Sequence, residues 1–592
     1  MSQIKEQSAY YQLTDLAPVL KAADADNILL ESLPVWLSAQ TRKSAGRGRS
    51  ANNTLQYGVQ KLRELILELA VRGKLVPQDP NDEPASILLG KIAEEKARLV
   101  KQGKLKKHKS LTEVAASDEP FSIPTTWTWE RLGNIGLVAS SSRVHKKDWQ
   151  DDGVPFYRAR EIVLLSKNGS VENELFISNE LFEKLAANGA CPEPDDIMIT
   201  GVGTIGTPYI VKNSDKFYFK DASVLTFKNF FGINAEYLFN FCKSPFWIES
   251  IHEGSMGTTV HTLTINRANE ALIPLPPLAE QHRIVKKVDE LMVLCDKLEQ
   301  QQVDAVQAHD TLVKVLLDTL TQSENAKYFQ QNWCRIAEHF DTLFTTESSI
   351  DQLKQTLLQL AVMGKLVPQD LNDEPASILL DKITREKNRL VKEGKLRAQQ
   401  PSQINKTDLH DLPVGWIWTG FGEVTFNRDA ERVPLSVDTR KHRRGNYDYY
   451  GASGIIDQID DYLFEKPLLL IGEDGANLVN RSTPIAFIAR GKYWVNNHAH
   501  VIDGFSESFL LYLSLYINSI SLIPYITGTA QPKMNQAKMN SIPVALPPLT
   551  EQQRIVKKVD ELMALCDQLK DRLNQSQTLQ QQLADAVVET TI

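Results

Sequence analysis

The sequence predicts a mixed α/β chain in which two globular blocks are separated by two long antiparallel coiled-coil helices, with a pseudo-twofold internal repeat. Three observations lead there. The stretch from Pro276 to Leu298, PPLAEQHRIVKKVDELMVLCDKL, returns from Pro547 to Leu569 changed at only four positions. A second stretch, from Leu62 to Leu105, returns from Leu353 to Leu396 with most letters kept. Between these repeats lie two blocks that do not resemble each other in sequence. The order is connector, block, long helix, then the same again. Whatever binds the repeats should bind twice in one manner, and whatever binds the blocks should come in two unlike halves.

Composition narrows the class. A chain of 592 residues, 42% hydrophobic and 24% charged, is an ordinary soluble protein long enough for several domains. No apolar run approaches the roughly 18–20 residues of a membrane span. The start, MSQIKEQSAYYQL, lacks the apolar core of a signal peptide, so a cytoplasmic location is expected. Five cysteines are scattered without metal or disulfide spacing. Cys295 and Cys566 occupy matching apolar positions and read as buried reduced thiols. A net charge of −8 argues against a protein that simply coats DNA. A nucleic-acid site would have to be local, or completed by a partner.

The elements follow in order. Residues 1–53 are a polar extension with a basic loop, Thr41 to Ser50, which reads first as a solvated linker and second as a phosphate or partner contact. The connector, 54–110, places Leu62, Leu65, Ile66, Leu69 and Ala70 at helical spacing. Gly73 stands where a helix C-cap belongs, and Pro84 can open a second helix with Ile87, Leu88, Ile92 and Leu99 on its apolar side. The joint GKLVPQD between them recurs unchanged. It is either a structural bend or a docking point for a partner, with Lys74, Gln78, Lys365 and Gln369 as the docking candidates.

The first block, 120–275, enters through Trp127 and Trp129, and the second, 408–546, through Trp416 and Trp418. Both pairs alternate as on a strand entering a core. Within the first block, Ile197 to Ile199 and Ser223 to Phe227 read as strands and Ala235 to Cys242 as a helix. In the long-helix segment, 276–321, residues Ile284, Val288, Leu291, Cys295, Leu298, Ala305, Leu312 and Leu316 follow a heptad, with Gln302 and His309 as polar steps. The copy, 547–592, repeats it through Ile555, Val559, Leu562, Cys566, Leu569, Leu573, Leu583 and Val587. Sustained heptads indicate a coiled-coil seam, here a rod of roughly 60 Å. Through a linker at 322–349, the first long helix can pair with the second connector, 350–400. The last long helix can pair with the first connector.

Catalytic motifs are missing. Gly201 to Gly206 fits G-x-G-x-x-G, but an extended run follows instead of a helix, so a tight turn between strands is the reading. There is no phosphate-binding G-x-x-x-x-G-K-[ST] loop. His498 and His500 have no third ligand nearby in sequence, so no metal site is expected. Candidate nucleic-acid contacts are local. In the first block they are Arg143, His145, Lys146, Lys147, Arg158 and Arg160. In the second they are Arg440, Lys441, His442, Arg443 and Arg444, then Asn446 and Tyr449 among neighbouring tyrosines. Cations beside amides and aromatics can hold phosphates and reach base edges, although such runs are as often solvated loops. Two small polar segments close the blocks: Gly257 to His261, and Gly528 to Lys533 with Gln531 and Lys533.

This organisation resembles the DNA-specificity (S) subunit of type I restriction-modification enzymes, most of all its B-type members. The resemblance spans nearly the whole chain. It is carried by LRELILELAVRGKLVPQDPNDEPASILL, the paired I/L-P-x-x-W-x-W entries and the PPL-x-EQ-x-RIV-K-K-VDELM segments. It implies that each block is a target-recognition domain reading one half of a split, asymmetric DNA site, and that the helical pair sets the unread gap. It also implies that two methyltransferase subunits dock on the connectors, bind S-adenosylmethionine and methylate adenine. Two motor/nuclease subunits using ATP and Mg2+ would complete the complex, with no cofactor on this chain. The alternative is a non-catalytic coiled-coil scaffold with two protein-binding heads, favoured by the net acidity and opposed by the clustered Arg and Tyr residues.

Overall fold

The computed structural model describes residues 29, 31–39, 57–102, 111–187, 191–253, 262–324, 326–397, 409–528 and 531–592. The chain divides into two compact units, Met1–Asp304 with Ser576–Ile592, and Ala305–Gln575. The division cuts both long helices, so each unit holds one block, one connector and a part of each long helix. The basic loop 41–50 and the segment 257–261 lie outside the described residues.

The repeats are helical. In chain order they and their neighbours are α1 (Leu33–Ser38), α2 (Tyr57–Val71), α3 (Ala85–Lys101), α4 (Leu278–Thr321), α5 (Ala326–Glu338), α6 (Glu347–Val362), α7 (Ala376–Lys392) and α8 (Leu549–Thr591). The glycine of each joint ends its helix in the left-handed conformation, φ +68° at both Gly73 and Gly364. The next amide reaches back to the helix, Lys74 to the Leu69 carbonyl and Lys365 to that of Leu360, each 2.9 Å. That is a Schellman closure, and it fixes the bend in both copies. Pro84 and Pro375 stand at the N-cap, one residue before the first turn in which the sequence places Pro84. The linker expected at 322–349 is largely helical. In α5, Ile336 is buried, with Phe329 and Trp333 half-buried against the same core.

Each connector packs against both long helices rather than one. In the first unit Arg63 of α2 pairs with Asp296 (2.6 Å) and Glu299 (3.2 Å) of α4, and Gln78 beyond it with Glu280. Tyr57 of α2 donates to Asp585 of α8 (2.6 Å), and Lys74 to the Ile592 carbonyl (2.8 Å). So α2 runs antiparallel to the start of α4 and parallel to the end of α8. The second unit reverses the partners. Asp351 of α6 meets Lys570 of α8 (3.0 Å) and Gln369 meets Glu551 (3.1 Å), while Lys365 holds the Thr321 carbonyl at the end of α4 (2.8 Å).

The buried stripe departs from the expected heptad. Ile284, Val288, Leu291, Cys295 and Leu298 are buried as expected. Beyond them Ala305 is exposed and Leu312 is 51% exposed, while Val313, Leu317 and Leu320 are buried. The copy slips at the same place, with Leu583 48% exposed and its neighbour Ala584 buried. A straight helix drifts by about 20° per heptad, so its buried face stays in phase with 3.6 residues per turn and slides off a 3.5-residue repeat.

The two blocks, unlike in sequence, share one topology. The first contains β1 (Thr128–Arg131), β2 (Leu137–Ala139), β3 (Val154–Tyr157), β4 (Phe176–Ile177), β5 (Ile197–Thr200), β6 (Pro208–Ile210), β7 (Tyr218–Phe219), β8 (Val224–Lys228) and β9 (Leu272–Leu275). The second contains β10 (Ile417–Gly420), β11 (Phe426–Asn427), β12 (Arg444–Gly451), β13 (Gly454–Ile459), β14 (Leu468–Gly472), β15 (Ala486–Ala489), β16 (Tyr493–Val495), β17 (Ala499–Asp503) and β18 (Pro543–Leu546). The order β2-β8-β5-β6 matches β11-β17-β14-β15, and β4-β3-β7 matches β13-β12-β16. In the three-stranded sheets β3 pairs parallel with β7, and β12 with β16. Each block is closed by an antiparallel pair of its first and last strands, β1 with β9 and β10 with β18. A buried tyrosine on a helix secures each closing strand, Tyr237 to the Pro274 carbonyl (2.5 Å) and Tyr512 to that of Ala545 (2.6 Å).

Candidate nucleic-acid interface

The mounting of each block is a cluster of charged and polar side chains built twice. The glutamate of PPL-x-EQ is buried at the start of each long helix. Glu280 accepts from the Trp127 indole (2.9 Å) and from Gln78 (2.5 Å), and Glu551 from Trp416 (2.9 Å) and Gln369 (3.1 Å). Burial raises both carboxyls above their ordinary range, and the indole and amide donors oppose that only in part. One turn along, Arg283 forks onto Asp82 and Arg554 onto Asp373, each with a closest contact of 2.6 Å. The following glutamine, Gln281 or Gln552, donates to the carbonyl of Pro276 or Pro547. Joint, block entry and long helix are thereby tied together by one constellation in each unit.

The four docking candidates are part of this internal machinery. Gln78 and Gln369 bind the buried glutamates, and Lys74 and Lys365 bind carbonyls at the ends of long helices. What the sequence reading missed is Glu280, Glu551 and the two Arg–Asp forks. Their signal was available: the same charged letters stand in both copies, Asp82 and Asp373 in the loop after the joint and the Glu–Gln–x–Arg run at the start of each long helix.

The expected DNA contacts divide into groups. Arg143, His145, Lys146, Lys147 and Arg160 are exposed, whereas Arg158 folds back on Glu161 (2.7 Å). In the second block Arg440 pairs with Asp457 (2.9 Å), Lys441 with Asp438 (3.2 Å) and Arg443 with Asp460 (2.9 Å). Arg444 and Asn446 are exposed at the start of β12. Tyr449 is not a surface residue. It is fully buried with Ile459 and Trp494, and its hydroxyl accepts from the Leu435 amide (3.2 Å). The alternation along β12 turns it inward.

Gln531 and Lys533 do not join that group. Ala452, just past β12, touches Gly472 at the end of β14. Tyr493, opposite Asp448 of β12, donates to the Lys466 carbonyl just before β14 (2.8 Å). The two strands therefore run the same way side by side. Lys533 bridges to Asp474, beyond the far end of β14, and its ammonium pairs with Glu473 (3.2 Å). Arg444 opens β12 and Lys533 lies beyond the end of β14, so the two stand toward opposite ends of these strands.

At that far end the two blocks use equivalent loops. Gly201 of the first receives a bond from Leu263 and donates to Ser223, while Glu473 of the second receives one from Met534 and donates to His498. The G-x-G-x-x-G segment is the turn between β5 and β6, with Gly203 and Gly206 at positive φ, as its sequence context indicates. The two histidines serve this loop. His498 pairs with Asp474 (2.8 Å), and buried His500 bridges Asp429 (2.6 Å) and the Met534 carbonyl (2.9 Å). Burial alone would lower His500, but the bond and charge of Asp429 overcome it and raise its pKa. Among the described residues no group of three or more side chains is placed to hold a metal, and no helix is long and apolar enough to cross a membrane.

A family model described as the type I restriction modification DNA specificity domain matches residues 124–308 and 426–577. The chain is 36% identical over 615 residues to the specificity subunit of the type I restriction enzyme EcoEI of Escherichia coli, covering 96% of this chain and 99% of that one. It is 37% identical over 617 residues to the EcoAI specificity subunit of Escherichia coli, again covering 96% and 99%. Among solved structures, the HsdS subunit from Thermoanaerobacter tengcongensis aligns over 79% of this chain and 97% of its own, at 17% identity and a TM-score of 0.38.

Proposed function

This chain belongs to the family of DNA-specificity subunits of type I restriction-modification enzymes, their non-catalytic recognition subunits, and from that premise we propose that its two blocks read the two halves of a split, asymmetric DNA site. Its connectors dock two methyltransferase subunits in the cytoplasm, directing adenine methylation. Two motor/nuclease subunits complete the restriction complex. S-adenosylmethionine, ATP and Mg2+ are held by those partners. The two long helices set the unread gap, with half-site centres about one helical turn apart, roughly 34–36 Å.

One observation carries this reading: an identical mounting, Trp–Glu–Gln with an Arg–Asp fork, is built at two blocks that share a topology and differ in their exposed side chains. Identical mountings hold the two blocks alike on repeated connectors, which suit identical partners, and unlike surfaces on one scaffold suit unlike half-sites. The methyltransferases also answer the charge of −8, since they can supply much of the phosphate clamp.

The test is a graft. Residues 412–546 are replaced by the second block of a relative, and modified adenines are mapped in cells carrying the chimaera with its methyltransferase. One half of the modified sequence is expected to change while the other stays. A modified sequence unchanged in both halves would end the proposal.

A further inference from the structure

The duplicated helices α3 and α7 act as an internal comparison. Of their seventeen positions four differ: Gly90 against Asp381, Ala93 against Thr384, Glu94 against Arg385 and Ala97 against Asn388. Those positions are spaced i, i+3, i+4 and i+7, so they form a single stripe, and all are exposed. The residues that pack, Leu88 and Ile92 or Leu379 and Ile383, are unchanged. The fold therefore does not dictate the stripe, and at one position its charge is reversed.

In the second unit that stripe borders a cleft of about 550 Å³ between α7 and the second block. Lys382, Arg385 and Arg389 line it from the helix, and Arg428 and Lys466 from the block, over the carboxylate of Asp503. Lys382 pairs with Glu374, and Arg389 with Glu386 and Glu393. Arg428 (2.8 Å) and Lys466 share the single charge of Asp503, and Arg428 also reaches Glu431. Arg385 is exposed and has no ion-pair partner among the described residues. Five cations of the lining face two carboxylates, Glu386 and Asp503, and the carboxylates behind them, Glu374, Glu393 and Glu431, balance all of these cations but Arg385, in a chain that is acidic overall. In the first unit the cleft beside α3 is lined by Phe230, Phe231 and Leu278 with Glu95, His282 and the Lys91–Glu83 pair, and no cation stands there in the place of Arg385.

We propose that the cleft between α7 and the second block holds a phosphate of the DNA backbone, a contact made from a connector helix and on this half of the subunit only. It rests on the DNA-reading function proposed above. Arg385 approaches the phosphate from the helix, and exposed Lys466, which shares Asp503 with Arg428, from the block. A phosphate contact adds affinity and register without sequence information, so it can come from the duplicated scaffold without altering the sequence read.

The experiment uses the full chain co-purified with its methyltransferase, and duplex DNA containing the mapped site. Binding is measured across a salt series for the wild type, Arg385→Glu and Lys466→Gln. Arg385→Glu installs the charge that the first copy carries at the equivalent exposed position. Both variants are expected to weaken binding several-fold at low salt and to reduce the slope of log K against log salt by about one, as for one lost phosphate. Methylation should keep the same sequence in both halves, and Glu94→Arg should not flatten the slope. An unchanged slope in both variants overturns the proposal. So does loss of the methyltransferase from the purified complex, which would make the cleft a seat for an acidic protein segment. If the wild type itself binds without sequence selectivity, it is the DNA-reading proposal that fails.

Discussion

Trp127 and Glu280 meet inside the first unit, the indole donating to the buried carboxylate over 2.9 Å, and Trp416 and Glu551 repeat the contact at the same length in the second. Glu280→Ala leaves the buried Trp127 indole without its acceptor, whereas the exposed Gln78 amide keeps water and the Gly73 carbonyl. The expected cost is about 1–3 kcal/mol, with a similar cost for Glu551→Ala, read as shifted melting of the matching unit. Glu280→Gln keeps an acceptor for the indole and should cost less. The pH dependence has a definite sign. The folded carboxyl titrates above its unfolded value. Its contribution is therefore fully present below the unfolded pKa and is lost as pH rises through the folded one. Stability should fall across that window in the wild type, and the fall should shrink in Glu280→Gln.

The slipped stripe of the long helices makes a second prediction. Leu312 and Leu583 stand in the heptad but out of the core, so Leu312→Ala and Leu583→Ala should change stability by no more than about 0.5 kcal/mol. Leu317, off the heptad and buried, should cost about 2–5 kcal/mol when cut to alanine. Urea unfolding of the three variants decides it: equal losses at all three would mean that Leu312 and Leu583 are in the seam after all.

This slip shows why some features were legible in the sequence and others were not. Helices, joints and block entries could be read because each rests on local chemistry: Gly73 and Gly364 closing a Schellman turn, Trp127 and Trp416 buried one residue ahead of a strand. The heptad failed past Leu298 because 3.5 and 3.6 residues per turn agree over a few turns and diverge over many. The kinship of the blocks was hidden because strand pairing is long-range. IMIT in β5 and LLLIG in β14 both need only to be apolar to fill the same place in the sheet. The site was least legible. A cluster such as Arg440 to Arg444 looks like an available surface until Asp457 and Asp460, distant in sequence, are found beside it.

His500 supports the loop at the far end of the second block, so that loop should respond to pH. Paired with Asp429, its folded pKa is raised. Its contribution is present below the unfolded value and is lost as pH rises through the folded one. Hydrogen exchange at the Met534 amide, which bonds to the Glu473 carbonyl, should quicken as pH rises through that window by more than the intrinsic chemical rate. His500→Gln should exchange quickly at all pH values. A wild-type rate that follows only the intrinsic rate would show that the imidazole does not hold the loop.

The two ends of the second block also predict which side chains read DNA. Arg444 and Asn446 are exposed at the start of β12, and Gln531 and Lys533 lie beyond the far end of β14. A base contact from an amide or guanidinium is worth about 1–3 kcal/mol of discrimination. Asn446→Ala and Arg444→Ala should therefore relax or weaken methylation at one half-site and leave the other unchanged. Gln531→Ala should alter neither. Tyr449→Phe removes a buried hydrogen bond and should cost about 1 kcal/mol of stability with the modified sequence intact. Adenine-methylation mapping of the four variants separates the outcomes. Equal loss at both half-sites in Asn446→Ala would indicate unfolding, and a changed half-site in Gln531→Ala alone would move the reading edge to the loop end.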